Sequence, residues 1–291
     1  MEINYLPVIK SPEDDRDWLY SNFLSLTDTL PKTLDLRSQL MPIRNQGQQG
    51  TCAAQAAACM KEFQEKKEHN FQDYMSPQFI YNHRVYWNNN KQDGDDRYED
   101  YGMTCRDIMH ILKNIGICSE SLYPYGTREY VKEIPRHIIN AAKKYCIQGY
   151  SRIYNIEELK HALFNNGPCM IAFPIYHHGK DMWIQHNKNQ QMLGGHAMTI
   201  VGYNSHGFII RNTWGAEWGD KGYCLYPFTH WNSHWEIWTT IDAKTSESNQ
   251  EPKPQPTPKP TPRPEPMSDP DSDSESEPDS EFEYFICCNI C

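Results

Sequence analysis

Between Thr51 and Glu68 the chain runs for eighteen residues without a glycine or a proline. Five alanines (Ala53, Ala54, Ala56, Ala57 and Ala58) stand there among Gln55, Lys61 and Glu62, so the run predicts one strong helix. Just before it, Asn45-Gln46-Gly47-Gln48-Gln49-Gly50 carries two glycines and reads as a loop that feeds the chain into that helix. Cys52 therefore falls in the first helical turn. Helix N-termini carry partial positive charge and unpaired N–H groups, which stabilise a thiolate. The small neighbours Thr51 and Ala53 leave the sulfur approachable.

Further helices are predicted near Arg106–Asn114, stopped by Gly116, and from an Asn155 N-cap with Glu158 three residues on, ending at Gly167-Pro168. After Pro168 the pattern changes to short β-branched and aromatic runs separated by Gly, Asn and Ser. Strands are expected at Cys169–Pro174, His196–Tyr203, Phe208–Thr213, Tyr223–Tyr226 and Glu236–Ile241. Helices precede strands, so the fold class is α+β with segregated lobes.

Charge and cysteine usage narrow the function. The net charge of the 291-residue chain is −10, and −7 of it lies in residues 244–291. The near-neutral body lacks the concentrated Lys/Arg of a nucleic-acid-binding face. No run approaches the ~18 apolar residues that cross a bilayer, and Met1–Pro7 lacks the features of a secretory signal. These readings predict a non-secreted, intracellular protein whose ten cysteines are free thiols. Cys59, Cys105, Cys118, Cys146, Cys169 and Cys224 are expected as small core residues. No paired Cys/His spacing in the body suggests a metal, and no cofactor is implied.

Amide chemistry by a thiolate also needs an imidazole to protonate the leaving amine and donors for the oxyanion. Far downstream, Gly195-His196-Ala197-Met198 opens one strand and Arg211-Asn212-Thr213-Trp214-Gly215 closes the next. Adjacent strands joined by a tight turn set Asn212 beside His196. Each residue alone has a plainer explanation: a cysteine at a helix start is usually packed, a histidine before a strand is usually structural, and Trp214 and Trp218 serve as core aromatics. His177, His178, His186 and His206 read as surface or loop histidines.

Taken together, four segments resemble the papain-like cysteine peptidases. Gln46-x-x-x-Gly50-Thr51-Cys52 is similar to the family's oxyanion glutamine and nucleophile. Gly195–Tyr203 is similar to its histidine strand, and Asn212-Thr213-Trp214-Gly215 through Gly222-Tyr223 to its asparagine motif. Pro31-Lys32-Thr33-Leu34-Asp35-Leu36-Arg37 is similar to the start of the mature enzymes, and lesser matches lie at Ser121–Tyr125 and Gly167-Pro168. His196 follows Cys52 by 144 residues, within the family's spacing of about 130–150. That agreement is a check on the resemblance, and Asn212, 160 residues on, lies slightly beyond it.

The resemblance implies a two-lobe fold over residues 31–243, with a mainly helical left lobe, a β-barrel-like right lobe and a cleft between them. It implies an endopeptidase acting on protein or peptide substrates through a thioester. Cys52 would be the nucleophile, ion-paired at rest with His196; Asn212 would orient the ring, Gln46 would donate to the oxyanion, and Trp214 would shield the His–Asn bond. An inactive scaffold, or an acyl- or amide-transferring enzyme on the same set, stays open as an alternative.

Two departures stand out. Gln49 occupies the place of a family cysteine that is disulfide-bonded, and Ala53 that of an aromatic. Divergent members from bacteria and large DNA viruses are similar in this respect, which would put the protein in a host cytoplasm or a virion if viral. The leader, residues 1–30, is too short for the family's folded inhibitory propeptide. After Lys244, proline alternates from Pro252 to Pro266 and acidic residues with serines follow to Glu283, a disordered composition. The apolar end with Cys287, Cys288 and Cys291 offers a partner or lipid contact as an alternative to an idle terminus.

Overall fold

Helix α1 (Cys52–His69) is the axis of the molecule, and its first fourteen residues, Cys52 to Glu65, are all buried. A helix enclosed on every side needs small apolar residues to let its neighbours close in, which the alanines supply. Three of its buried polar residues have partners. Lys61, fully buried, pairs with Glu65 at 2.6 Å and with Asp242; Glu62 pairs with Arg44 at 2.9 Å; Gln64 donates to the Thr240 hydroxyl at 2.8 Å. The computed structural model describes residues 8–15, 17–23, 29–84, 100–126 and 133–242. The proline-rich spacer, the acidic stretch and the terminal cysteines lie outside them.

On one side of α1 lie α2 (Pro77–Asn82), α3 (Cys105–Asn114) and α4 (Arg136–Ala142). The Ser76 hydroxyl caps α2, accepting from Phe79 N–H, and Thr104 caps α3 through Asp107 N–H. On the other side is an antiparallel sheet of β4 (Gly149–Arg152), β5 (Cys169–Ile175), β6 (Gly194–Tyr203), β7 (Gly207–Arg211), β8 (Tyr223–Pro227) and β9 (Glu236–Ile241). Its order is β4-β9-β5-β6-β7-β8, with β2 (Leu34–Asp35) added antiparallel to β6. Among the described residues no ladder joins β8 to β4, so the barrel-like sheet is open there. Helix α5 (Ile156–Asn165) covers it, with Leu159, Ala162 and Leu163 in the same apolar cluster as Ile171, Met198 and Tyr226.

The α5 start differs in one detail from a capping box. Asn155 accepts from Glu158 N–H at 2.9 Å, but the Glu158 carboxylate reaches back to Tyr154 N–H at 3.0 Å, not to the cap itself. Strand limits lie within a residue or two of those expected, and Asn212 falls just past β7. The expectation missed α2, α4 and β4, which are short and carry little periodicity of their own. Six body cysteines beside Cys52 are free, and of these only Cys146 is partly exposed rather than buried.

Candidate active site

Cys52 opens α1, where Thr51 makes no side-chain cap. The Thr51 hydroxyl is turned instead to the Tyr125 hydroxyl, 2.7 Å away. The first N–H groups of the helix are thus left for the sulfur. Ala197 N–H donates to Cys52 Sγ at 3.4 Å from the facing strand β6, and the N–H groups of Cys52 and Ala53 also bear on the thiol.

The residue before Ala197 is His196. Its Nε2 lies 2.7 Å from Asn212 Oδ1. Thr213 N–H donates to that same oxygen at 2.7 Å, which fixes it as the carbonyl end of the amide. A carbonyl only accepts, so His196 Nε2 carries the proton and the neutral ring has its lone pair on Nδ1. Nδ1 is buried and has no hydrogen-bond partner. The Trp214 indole stacks on the imidazole with centroids 4.4 Å apart and covers the His–Asn contact.

Gln46 is held from both ends. Its Nε2 donates to Gln49 O at 3.1 Å, so its Oε1 faces the Thr213 hydroxyl, which donates at 2.5 Å. Its backbone N–H donates to Thr213 O at 2.8 Å and its carbonyl accepts from Tyr125 at 2.8 Å. One hydrogen of the Gln46 amide remains uncommitted.

The structure thus gathers Cys52, His196, Asn212 and Gln46 where α1 meets β6 and the end of β7. Sequence reasoning missed three contributors. Tyr125 and Thr213 lie in segments already singled out, but their hydroxyl contacts have no local signature. The third is the leader. Strand β1 (Val8–Ile9) pairs in parallel with β3 (Met103–Thr104). The Val8 carbonyl lies so close to Gly195 that a Cβ there would stand 2.2 Å from its oxygen, so only glycine fits beside His196. Ser11 then bonds Glu236 and Arg106, Asp17 pairs with Arg106 at 2.6 Å, and Tyr20 enters the sheet cluster. The described leader residues are thus built into both halves and lie beside the site.

Cys52 and His196 are both fully buried in this arrangement. Burial pushes the Cys52 thiol up to about 12 and the His196 imidazole down to about 4, the Asn212 bond opposing the latter. Burial of each group thus works against the resting ion pair that the resemblance implies.

The loop between β5 and β6 gathers His177, Asp181 and His186, with His186 Nε2 3.4 Å and His177 Nε2 3.8 Å from the carboxylate. His177 Nδ1 accepts from Gly179 N–H at 3.1 Å, so the proton sits on Nε2. With Nδ1 accepting, the His177 ring is neutral, so its contact with Asp181 is no ion pair, and the nitrogen a metal would need already carries the proton. His178 is exposed, as expected for a loop histidine, with its ring 5.6 Å from that of Trp214.

Residues 30–236 match the profile of the papain family cysteine proteases. The chain belongs to that family. Within it, the chain is 28% identical to an uncharacterized peptidase C1-like protein of Acanthamoeba polyphaga mimivirus, over 76% of this chain and 81% of the relative. It is 31% identical to cathepsin K of Mus musculus over 67% of this chain, and spans only 59% of that relative's length. Among solved structures it is similar to Xylellain, a cysteine protease from Xylella fastidiosa (TM-score 0.68, 26% identity, 84% of this chain, 98% of that one). Digestive procathepsin L 3 of Tenebrio molitor shares the fold at TM-score 0.62 and 18% identity. The papain-like fold and a cysteine-type peptidase follow. No described helix is long and apolar enough to cross a membrane.

Proposed function

We propose that this papain-family protein is an endopeptidase with Cys52 as nucleophile, His196 as base and acid, Asn212 as the group that orients the ring, and Gln46 as an oxyanion donor. The observation that carries the reading is the tautomer of His196: Asn212 holds the proton on Nε2 and leaves Nδ1 free on the residue next to the one that contacts the sulfur. Nδ1 takes the thiol proton as Sγ bonds to the substrate carbonyl carbon. The oxyanion is met by the free hydrogen of Gln46 Nε2 and by the Cys52 N–H. Nδ1 returns its proton to the departing amine as the C–N bond breaks, leaving a thioester. A water then gives a proton to Nδ1 and its oxygen to the acyl carbon, releasing the acid and the thiol. The free cysteines suit a reducing, intracellular compartment.

The test is labelling with a cysteine-directed epoxysuccinyl inhibitor, followed by peptide mapping. An adduct at Cys52 that disappears in His196→Ala supports the assignment. An adduct spread over Cys287, Cys288 and Cys291, with Cys52 unmodified, overturns it. Hydrolysis is separated from acyl transfer by adding a free amine: a hydrolase yields the acid as main product.

A further inference from the structure

Where papain-like enzymes carry a cross-linked cysteine this chain has Gln49, so something else must hold the loop that presents Gln46. Gly50 N–H points at the Asp100 carboxylate, 2.8 Å from one oxygen and 3.0 Å from the other. The Tyr81 hydroxyl, from the buried end of α2, donates to the same carboxylate and accepts from Gly102 N–H at 3.3 Å. One chain of hydrogen bonds therefore runs from the loop through Asp100 and Tyr81 to the segment entering β3.

The consequence lies in the Gln49–Gly50 peptide. A trans peptide unit is rigid, and its N–H and C=O point to opposite sides. Its N–H end is held by Asp100. Its C=O end is Gln49 O, which accepts from Gln46 Nε2 at 3.1 Å and from Thr51 N–H at 2.8 Å. Fixing one end of the plate fixes the other, and with it the direction of the Gln46 amide.

We infer that Asp100 is a positioning residue of the oxyanion site, a charged noncovalent clamp in place of the missing disulfide, acting on Gln46 through the Gln49–Gly50 peptide. This rests on Gln46 being an oxyanion donor, as proposed above. A hydrogen bond from N–H to a carboxylate is among the stronger kinds, so its loss is large enough to read in turnover.

The test uses the full chain, with Asp100→Ala and Asp100→Asn beside wild type. Asp100→Ala lowers kcat on a fluorogenic peptide by about ten- to a hundredfold with KM within about twofold, the range expected for one charged hydrogen bond. Affinity for a peptide aldehyde, whose adduct carries the oxyanion, falls by a similar factor. Alkylation of Cys52 by iodoacetamide, which needs no oxyanion donor, stays within about threefold of wild type. Asp100→Asn keeps a carbonyl acceptor for Gly50 and recovers a substantial part of the lost kcat. Unchanged kcat in Asp100→Ala overturns the inference, as does an equal loss of alkylation and turnover in both variants. Amide hydrogen exchange separates the clamp from the chemistry. Gly50 N–H protected in wild type and released in Asp100→Ala, in a protein that turns over no peptide, keeps the clamp and sinks the catalytic reading; Gly50 exchanging freely in wild type sinks the clamp.

Discussion

His196 owes its tautomer to Asn212, and Asn212 owes its own orientation to the Thr213 N–H that can meet only an oxygen. Gln46 is set in the same manner by Gln49 O and the Thr213 hydroxyl. Thr213 thus contacts both polar helpers of the proposed reaction. Thr213→Val, nearly isosteric, removes the hydroxyl that holds Gln46. The expected outcome is a kcat loss of about fivefold, corresponding to roughly 1 kcal/mol for one hydrogen bond. Gln46→Ala deletes the donor and is expected to cost about 10²–10³ in kcat. Steady-state kinetics on one peptide checks both, and Thr213→Val as costly as Gln46→Ala contradicts this division of roles. Of these residues, Cys52, His196, Asn212 and Gln46 were legible from short motifs. Thr213, Tyr125 and Asp100 were not, because a hydroxyl or carboxylate signals nothing until its partner is placed.

At the scale of elements, α1 was the most legible feature and also the least complete. Helix formers without glycine or proline specify the helix, but not that it is buried on every side, nor that Lys61 lies at 0% exposure between Glu65 and Asp242. A buried cation with two carboxylates near it holds only while all are present. Lys61→Met leaves the buried Glu65 and the half-buried Asp242 carboxylates without their cation and is expected to lower unfolding stability by about 3–5 kcal/mol. Urea denaturation followed by tryptophan fluorescence reads this out; a loss under 1 kcal/mol would show that water reaches the pair. The strands were legible through their β-branched and aromatic runs. Their order was not: β9 inserts between β4 and β5, a long-range pairing that no local pattern encodes.

For the molecule as a whole, the leader is built in beside the site. Val8 is buried in the cluster that contains Cys52, Met103 and Ala197, and it reaches Gly195 with its carbonyl. Val8→Asp buries an unpaired charge there, so β1 is expected to leave the site. Alkylation of Cys52 and peptide turnover should both rise several-fold, and a Cys52 alkylation rate equal to wild type would mean the leader hinders nothing. Acid acts on the same closed state. His196 is buried and His234 half-buried, and desolvation lowers both from 6.5 to about 4. Unfolded chains bind these protons from about pH 6.5 downward and the closed state refuses them until about pH 4, so the stabilisation is complete above pH 6.5 and fades between those values. From pH 7 to pH 5 each histidine is expected to contribute a loss of about 2 kcal/mol. His196→Asn should show a smaller drop over that range by about that amount, measured by denaturant midpoints at the two pH values.

The sequence by itself determined the fold class and the residue types of the site, because helix propensity, strand alternation and short motifs are local and are written in consecutive residues. Tertiary structure alone decided that Val8 packs beside Gly195, that Cys52 and His196 are both buried, and that a carboxylate fifty residues away from Gly50 takes up a cross-link's task. Burial, charge state and partner choice depend on which distant segments are brought together, and a one-dimensional pattern carries no record of that.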